Sequence, residues 1–96
     1  SSHPVEIAMQ FDHIGNTYFE RGELDKALKA FGDALHVFKL LGHRHGEAQS
    51  LGNIGLLHRR RGAEVEALDY LAQARAIYRD TGDRGAGGCA GAGGDG

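Results

Sequence analysis

Residues 22–42 read GELDKALKAFGDALHVFKLLG, and residues 62–82 read GAEVEALDYLAQARAIYRDTG. Both stretches begin and end on glycine, and both carry an Ala-Leu pair at the same place, Ala27-Leu28 and Ala67-Leu68. Ala34 then matches Ala74, and Phe38 matches Tyr78, at the same forty-residue offset. Glycine tolerates the left-handed conformation that commonly ends a helix. Gly22, Gly42, Gly62 and Gly82, spaced twenty residues apart, therefore divide the chain into four helix-length segments.

The correspondence extends outward from these stretches, to Ile14-Gly15 with Ile54-Gly55 and to Arg44 with Arg84. The unit is a helix pair that occurs twice. Periods of about 20 to 50 residues mark solenoids, so the expected architecture is all-α: an α-solenoid of two helix-turn-helix repeats, four antiparallel helices in a right-handed stack. Repeat 1 covers about 5–42 and repeat 2 about 44–82, within a domain ending near residue 84. Residues 85–96 are almost all Gly and Ala. They lack the large side chains needed to bury a face and carry a high backbone entropy cost, so they are expected to form a flexible tail.

Within segment 5–21, Ile7, Phe11, Ile14 and Tyr18 recur at helical spacing on one face. Gly15 interrupts it at a cost of about 1 kcal/mol relative to alanine, which close approach of a neighbouring helix would offset. Segment 24–41 carries Leu24, Leu28, Phe31, Leu35 and Phe38, widened by Val37, Leu40 and Leu41. A helix apolar on more than one side is sandwiched between neighbours. Segment 44–61 places Ala48, Leu51, Ile54 or Gly55, and His58 on its packing face. Segment 64–80 places Val65, Leu68, Leu71, Ala74 or Arg75, and Tyr78 on its own, with Tyr70 and Ile77 beside it.

Composition narrows the function. The chain has 96 residues, a net charge of −2 and a single cysteine, Cys89. One small domain of this length buries a modest share of its surface. The absence of a basic balance argues against nucleic acid, and no apolar run reaches membrane length. One cysteine cannot form an internal disulfide framework, which fits a cytoplasmic setting. No catalytic constellation, cofactor motif or zinc-type Cys/His spacing appears. His43 and His45 are the closest pair of six histidines and read as turn residues, while His58 reads as a substitute for a core aromatic.

The spacing resembles the tetratricopeptide repeat, which sets a large residue, Leu-Gly and an aromatic on one helix, and an alanine followed four later by an aromatic on the next. Phe11, Ile14-Gly15, Tyr18, Ala27 and Phe31 fit the first copy, and Leu51, Ile54-Gly55, His58, Ala67 and Leu71 the second. The usual tryptophan and closing proline are absent, and the period is forty residues against the family's usual 34 or so. This longer form resembles the repeats of the Leu-Gly-Asn-rich G-protein signalling modulators and of bacterial regulatory proteins. Ile14-Gly15-Asn16 and Leu51-Gly52-Asn53 echo the triplet, the second three residues out of register.

The resemblance implies a non-enzymatic protein-binding module whose first helices line a concave groove for a peptide or helical segment. By likeness the groove includes Met9, Asp12, His13, Asn16, Phe19 and Glu20 from the first copy. The second copy contributes Gln49, Gly52, Asn53, Leu56, Arg59 and Arg60. Asn16 and Asn53 offer both donor and acceptor to a peptide backbone. Arg59-Arg60-Arg61 is either a binding cluster for carboxylates or a solvated helix end favoured by the dipole. With Asp12 and Glu20 opposite it, the groove is expected to be acidic at one end and basic at the other. Family members that clamp a peptide's terminal carboxylate use a lysine where this chain has Asp12, so that carboxylate is not the expected ligand.

A second expectation is self-assembly. Solenoids generally need three or more repeats and a polar capping helix. Leu71, Ile77 and Tyr78 on the last helix are expected to form an uncovered apolar face that pairs with another copy, giving a homo-oligomer.

Overall fold

The computed structural model describes residues 3–82 as four helices: α1 (Pro4–Glu20), α2 (Leu24–Leu41), α3 (Arg44–Arg60) and α4 (Glu64–Thr81). The Gly/Ala-rich stretch 85–96, Cys89 and Arg84 lie outside the described residues. Pro4 opens α1, where its missing N–H has no helical partner to lose.

All four spacer glycines are left-handed, with φ between 67° and 85°. Gly22 N–H bonds the Phe19 carbonyl at 3.0 Å and Glu23 N–H bonds that of Tyr18 at 2.9 Å. The same two bonds recur at Gly62 to Arg59 and Ala63 to His58, and at Gly42 to Lys39 and His43 to Phe38. These are Schellman closures, which satisfy the last carbonyls of each helix and reverse the chain within a few residues. His43 also caps the next helix, its Nδ1 accepting from Gly46 N–H at 2.9 Å. The imidazole packs against the Phe38 ring at 5.3 Å, so one side chain both starts α3 and covers the end of α2.

Each helix packs on the next in sequence, α1 on α2, α2 on α3 and α3 on α4, with α1 also touching α3 and α4 meeting neither α1 nor α2 along its backbone. The core runs through this series in three patches. Ala8, Ala34 and Phe38 form one, Ala27, Phe31, Ile54 and Leu57 the middle one, and Ala48, Leu51, Ala74 and Ile77 the third. Leu35 and Tyr70 pack against both of the last two. α2 thus contacts both α1 and α3, but not through all of the wide apolar surface read from the sequence, since Leu40 is 73% exposed and Leu41 41% exposed near its C-terminus.

Close approach is set by glycine under an aromatic ring. A Cβ placed on Gly15 would lie 2.6 Å from the ring of Phe31, and one on Gly46 would lie 2.3 Å from that of Phe38. Both distances are far inside van der Waals contact. Gly55 is crowded in the same way by Leu71, at 2.8 Å, so the Gly15–Phe31 contact of the first pair recurs forty residues on.

Two apolar stripes are placed differently from the sequence expectation. On α1, Ile7 and Ile14 are exposed, and the buried line is Ala8, Asp12 and Gly15. On α4, Val65 and Leu68 are exposed, whereas Ala67, Ala74 and Ile77 are buried. The reason is position in the series: α1 and α4 have a neighbouring hairpin on one side only among the described residues. Ile14 is 45% exposed, but its counterpart Ile54, covered by α2, is 3% exposed.

Gly46→Ala is expected to lower unfolding free energy by about 1–3 kcal/mol through overpacking against Phe38. At Gly52 an added Cβ meets nothing within 4 Å, and Gly52→Ala should raise stability by about 1 kcal/mol from helix propensity. Urea unfolding followed by circular dichroism measures both.

Candidate partner-binding groove

α1 and α3 run side by side as the first helices of the two hairpins, and one buried polar contact ties them. Ser50 on α3 is fully buried, and its hydroxyl donates to Asp12 on α1 at 3.1 and 3.2 Å to the two carboxylate oxygens. Asn53, one turn further along α3, lies near enough to that carboxylate to favour its charged form. Asp12 is only 5% exposed. Burial pushes its pKa up to about 6, while the Ser50 hydroxyl and the nearby Asn53 amide pull in the opposite direction. Desolvation disfavours the charged form more than these two groups favour it.

Asp12 therefore does not act as an open groove carboxylate. It is an inter-repeat strut at the base of the surface shared by α1 and α3, with Asn53 half-buried beside it. Ser50 escaped the sequence reading because a serine between Gln49 and Leu51 carries no periodic signal. Only the parallel placement of α1 and α3 brings it, 38 residues away in sequence, to Asp12.

The arginine triplet separates into three roles. Arg60 reaches from α3 to the end of α1, where Nη1 donates to the Phe19 carbonyl at 3.0 Å and the guanidinium lies 5.1 Å above the Phe19 ring. It thereby adds a second donor to a carbonyl that Gly22 N–H already bonds and covers Phe19, which is half-buried. Arg61 pairs with Asp25 at the start of α2, at 3.4 Å and largely in solvent, a contact worth at most about 1 kcal/mol. Arg59 is exposed. Asn16, Glu20 and Gln49 are exposed as well, and Leu56 is 48% exposed.

His58 is half-buried and stacks on Tyr70, ring centres 5.3 Å apart and 14° from parallel, in the place of an aromatic. Among the described residues no three His, Cys, Asp or Glu side chains converge as a metal site would require. No helix among them is long and apolar enough to cross a membrane.

Packing within the hairpin covers much of the face expected for self-association. Ile77 is 7% exposed within the patch it shares with Ala48, Leu51 and Ala74. Leu71 lies over Gly55. Tyr78 is half-buried and meets His45 edge-on at 5.8 Å. All three make contact with α3, the partner of α4 in its own hairpin, and Ile77 is fully committed to it. The outward apolar residues of α4 are Val65 and Leu68.

Two antiparallel hairpins, glycine-mediated packing at the same point in each, and a forty-residue offset in both sequence and contacts are what a tandem helical repeat requires. The sequence profile described as Tetratricopeptide repeat matches residues 6–80. The chain belongs to the tetratricopeptide repeat family. Comparison with curated proteins and with solved structures returned no match. Tetratricopeptide repeats are in general protein-interaction modules, and in this chain the first helices of both repeats present side chains on a shared surface braced by Asp12 and Ser50.

The raised pKa of Asp12 has a signed consequence. A carboxyl near 3.9 in the unfolded chain and about 6 in the folded one binds its proton more tightly when folded. Its contribution to stability is fully present below pH 4 and is lost as pH rises through 6. Asp12→Asn keeps an acceptor for Ser50 and removes this dependence. The melting-temperature difference between wild type and Asp12→Asn should therefore move against wild type as pH rises from 4 to 7, as read by thermal denaturation.

Proposed function

We propose that the protein is a non-enzymatic interaction module that binds a peptide or helical segment of another protein on the surface formed by α1 and α3. The single observation that carries this reading is the buried Asp12–Ser50 link, which holds α1 and α3 at a fixed spacing. A surface braced in this way loses little conformational entropy on binding, and pre-organisation of that kind favours affinity.

The exposed groups on this surface specify the ligand's chemistry. Leu56 offers apolar area, Asn16 a backbone donor and acceptor, and Arg59 a fork for a carboxylate. Burial of Asp12 removes one of the two carboxylates that would have balanced the arginines and leaves Glu20. The favoured ligand is a segment with an apolar anchor and an acidic residue.

Asn53 is half-buried beside Asp12 and Arg60 holds the end of α1, so Asn16, Leu56 and Arg59 are the positions that report on binding alone. Peptides selected from a random display library on the wild-type protein should lose at least tenfold in affinity to Leu56→Ala and to Arg59→Glu by fluorescence anisotropy. Leu68→Ala, on the outer face of α4, should bind them unchanged. Equal affinity for all three variants, or failure to select any peptide, rejects the groove.

A further inference from the structure

We propose that the chain stacks end to end on further copies of itself, the outward face of α4 in one copy seating in the open α1/α2 end of the next. The motivation is that the molecule already makes this contact once, where α2 lies on the α3/α4 hairpin. In that internal contact Leu35 of α2 packs between the patches containing Leu51 and Ile54, alongside Tyr70. Moving every residue by the forty-residue repeat puts Arg75 of one copy in the role of Leu35. Phe11, Ile14 and Ala30 of the next copy take the roles of Leu51, Ile54 and Tyr70.

These three residues line an open cleft of about 480 Å³ between α1 and α2. The substitutions compensate in size. Ala30 leaves empty what Tyr70 fills in the second repeat, and Arg75 is longer than the Leu35 it stands for. The cleft also offers carboxylates. Asp25 and Asp33 line it, each held by one solvent-exposed ion pair, Asp25 with Arg61 at 3.4 Å and Asp33 with Lys29 at 3.4 Å, while Arg75 forms no ion pair within its own copy among the described residues. Lys26 is engaged by Glu23 at 3.1 Å. An arginine entering there lays its methylenes on Phe11 and Ile14 and brings its guanidinium to the carboxylates.

The surrounding residues fit the same register. Leu68, 64% exposed, is the counterpart of Leu28, which is half-buried against the middle core patch. Ile14 is the counterpart of Ile54, and end-to-end contact would cover it as α2 covers Ile54. The two faces differ, so the contact is heterologous and can extend past a dimer.

Analytical ultracentrifugation of the full chain over a wide concentration range tests this. Wild type should grow through dimers to larger species. Leu68→Glu loses one face and Ile14→Glu the other, so each alone should be monomeric, and both sites are exposed enough for folding to survive, checked by circular dichroism. Mixing the two variants should restore a single one-to-one dimer, because the intact α4 face of the Ile14→Glu protein meets the intact cleft of the Leu68→Glu protein. A monomeric wild type at every concentration, a Leu68→Glu protein that still assembles, or a mixture that stays monomeric overturns the proposal. A wild type that stops at dimer likewise overturns it in favour of a symmetric contact.

Discussion

Phe31 lies on the bare backbone of Gly15, and Phe38 lies on that of Gly46. These two ring-on-glycine contacts, made by one side of α2 two turns apart, set how near α2 comes to α1 and to α3. Phe31 and Phe38 are almost completely buried, and each such ring contributes on the order of 1.5–3 kcal/mol when removed from water. The first contact closes a hairpin and the second joins two hairpins. Their spacing along α2, seven residues or two turns, places both rings near one side of the helix. α1 and α3 therefore lie alongside each other, and the Asp12–Ser50 bond becomes possible.

That bond connects stability with the surface proposed for binding. A carboxylate buried between two hairpins, with its pKa raised and its partners supplied by the other hairpin, favours a particular spacing of α1 and α3 at some energetic cost. The groups that a ligand would meet, Asn16, Leu56 and Arg59, sit on the helices so joined. Arg60 braces the far end of the same pair by capping α1 from α3. The polar residues of this surface thus comprise a set that holds the two first helices together and a set left exposed to solvent.

The ends of the molecule obey the same geometry with a neighbour missing among the described residues. The position that is buried as Ile54 is open as Ile14, and the position half-covered as Leu28 is open as Leu68. The repeat uses one pattern of side chains for both circumstances. Apolar residues at the outer faces therefore follow the pattern of the covered positions rather than being misplaced core. Arg75 and Ala30, which replace Leu35 and Tyr70 of the internal contact, are where the two ends depart from it together.

Four helices, their ends and their pairing were legible in the sequence, because left-handed glycines and a forty-residue offset are local and periodic signals that need no knowledge of the fold. The need for a close neighbour at Gly15 was legible for the same reason. Which side of α1 and α4 is buried was not, since Ile7, Ile14, Val65 and Leu68 have helical spacing whether or not a neighbour covers them. Nor could sequence alone show that Asp12 is a strut, that Arg60 serves α1, or that Leu71, Ile77 and Tyr78 face their own hairpin. Each of those depends on a contact between residues far apart in the chain, and periodicity along one helix carries no information about what lies across from it.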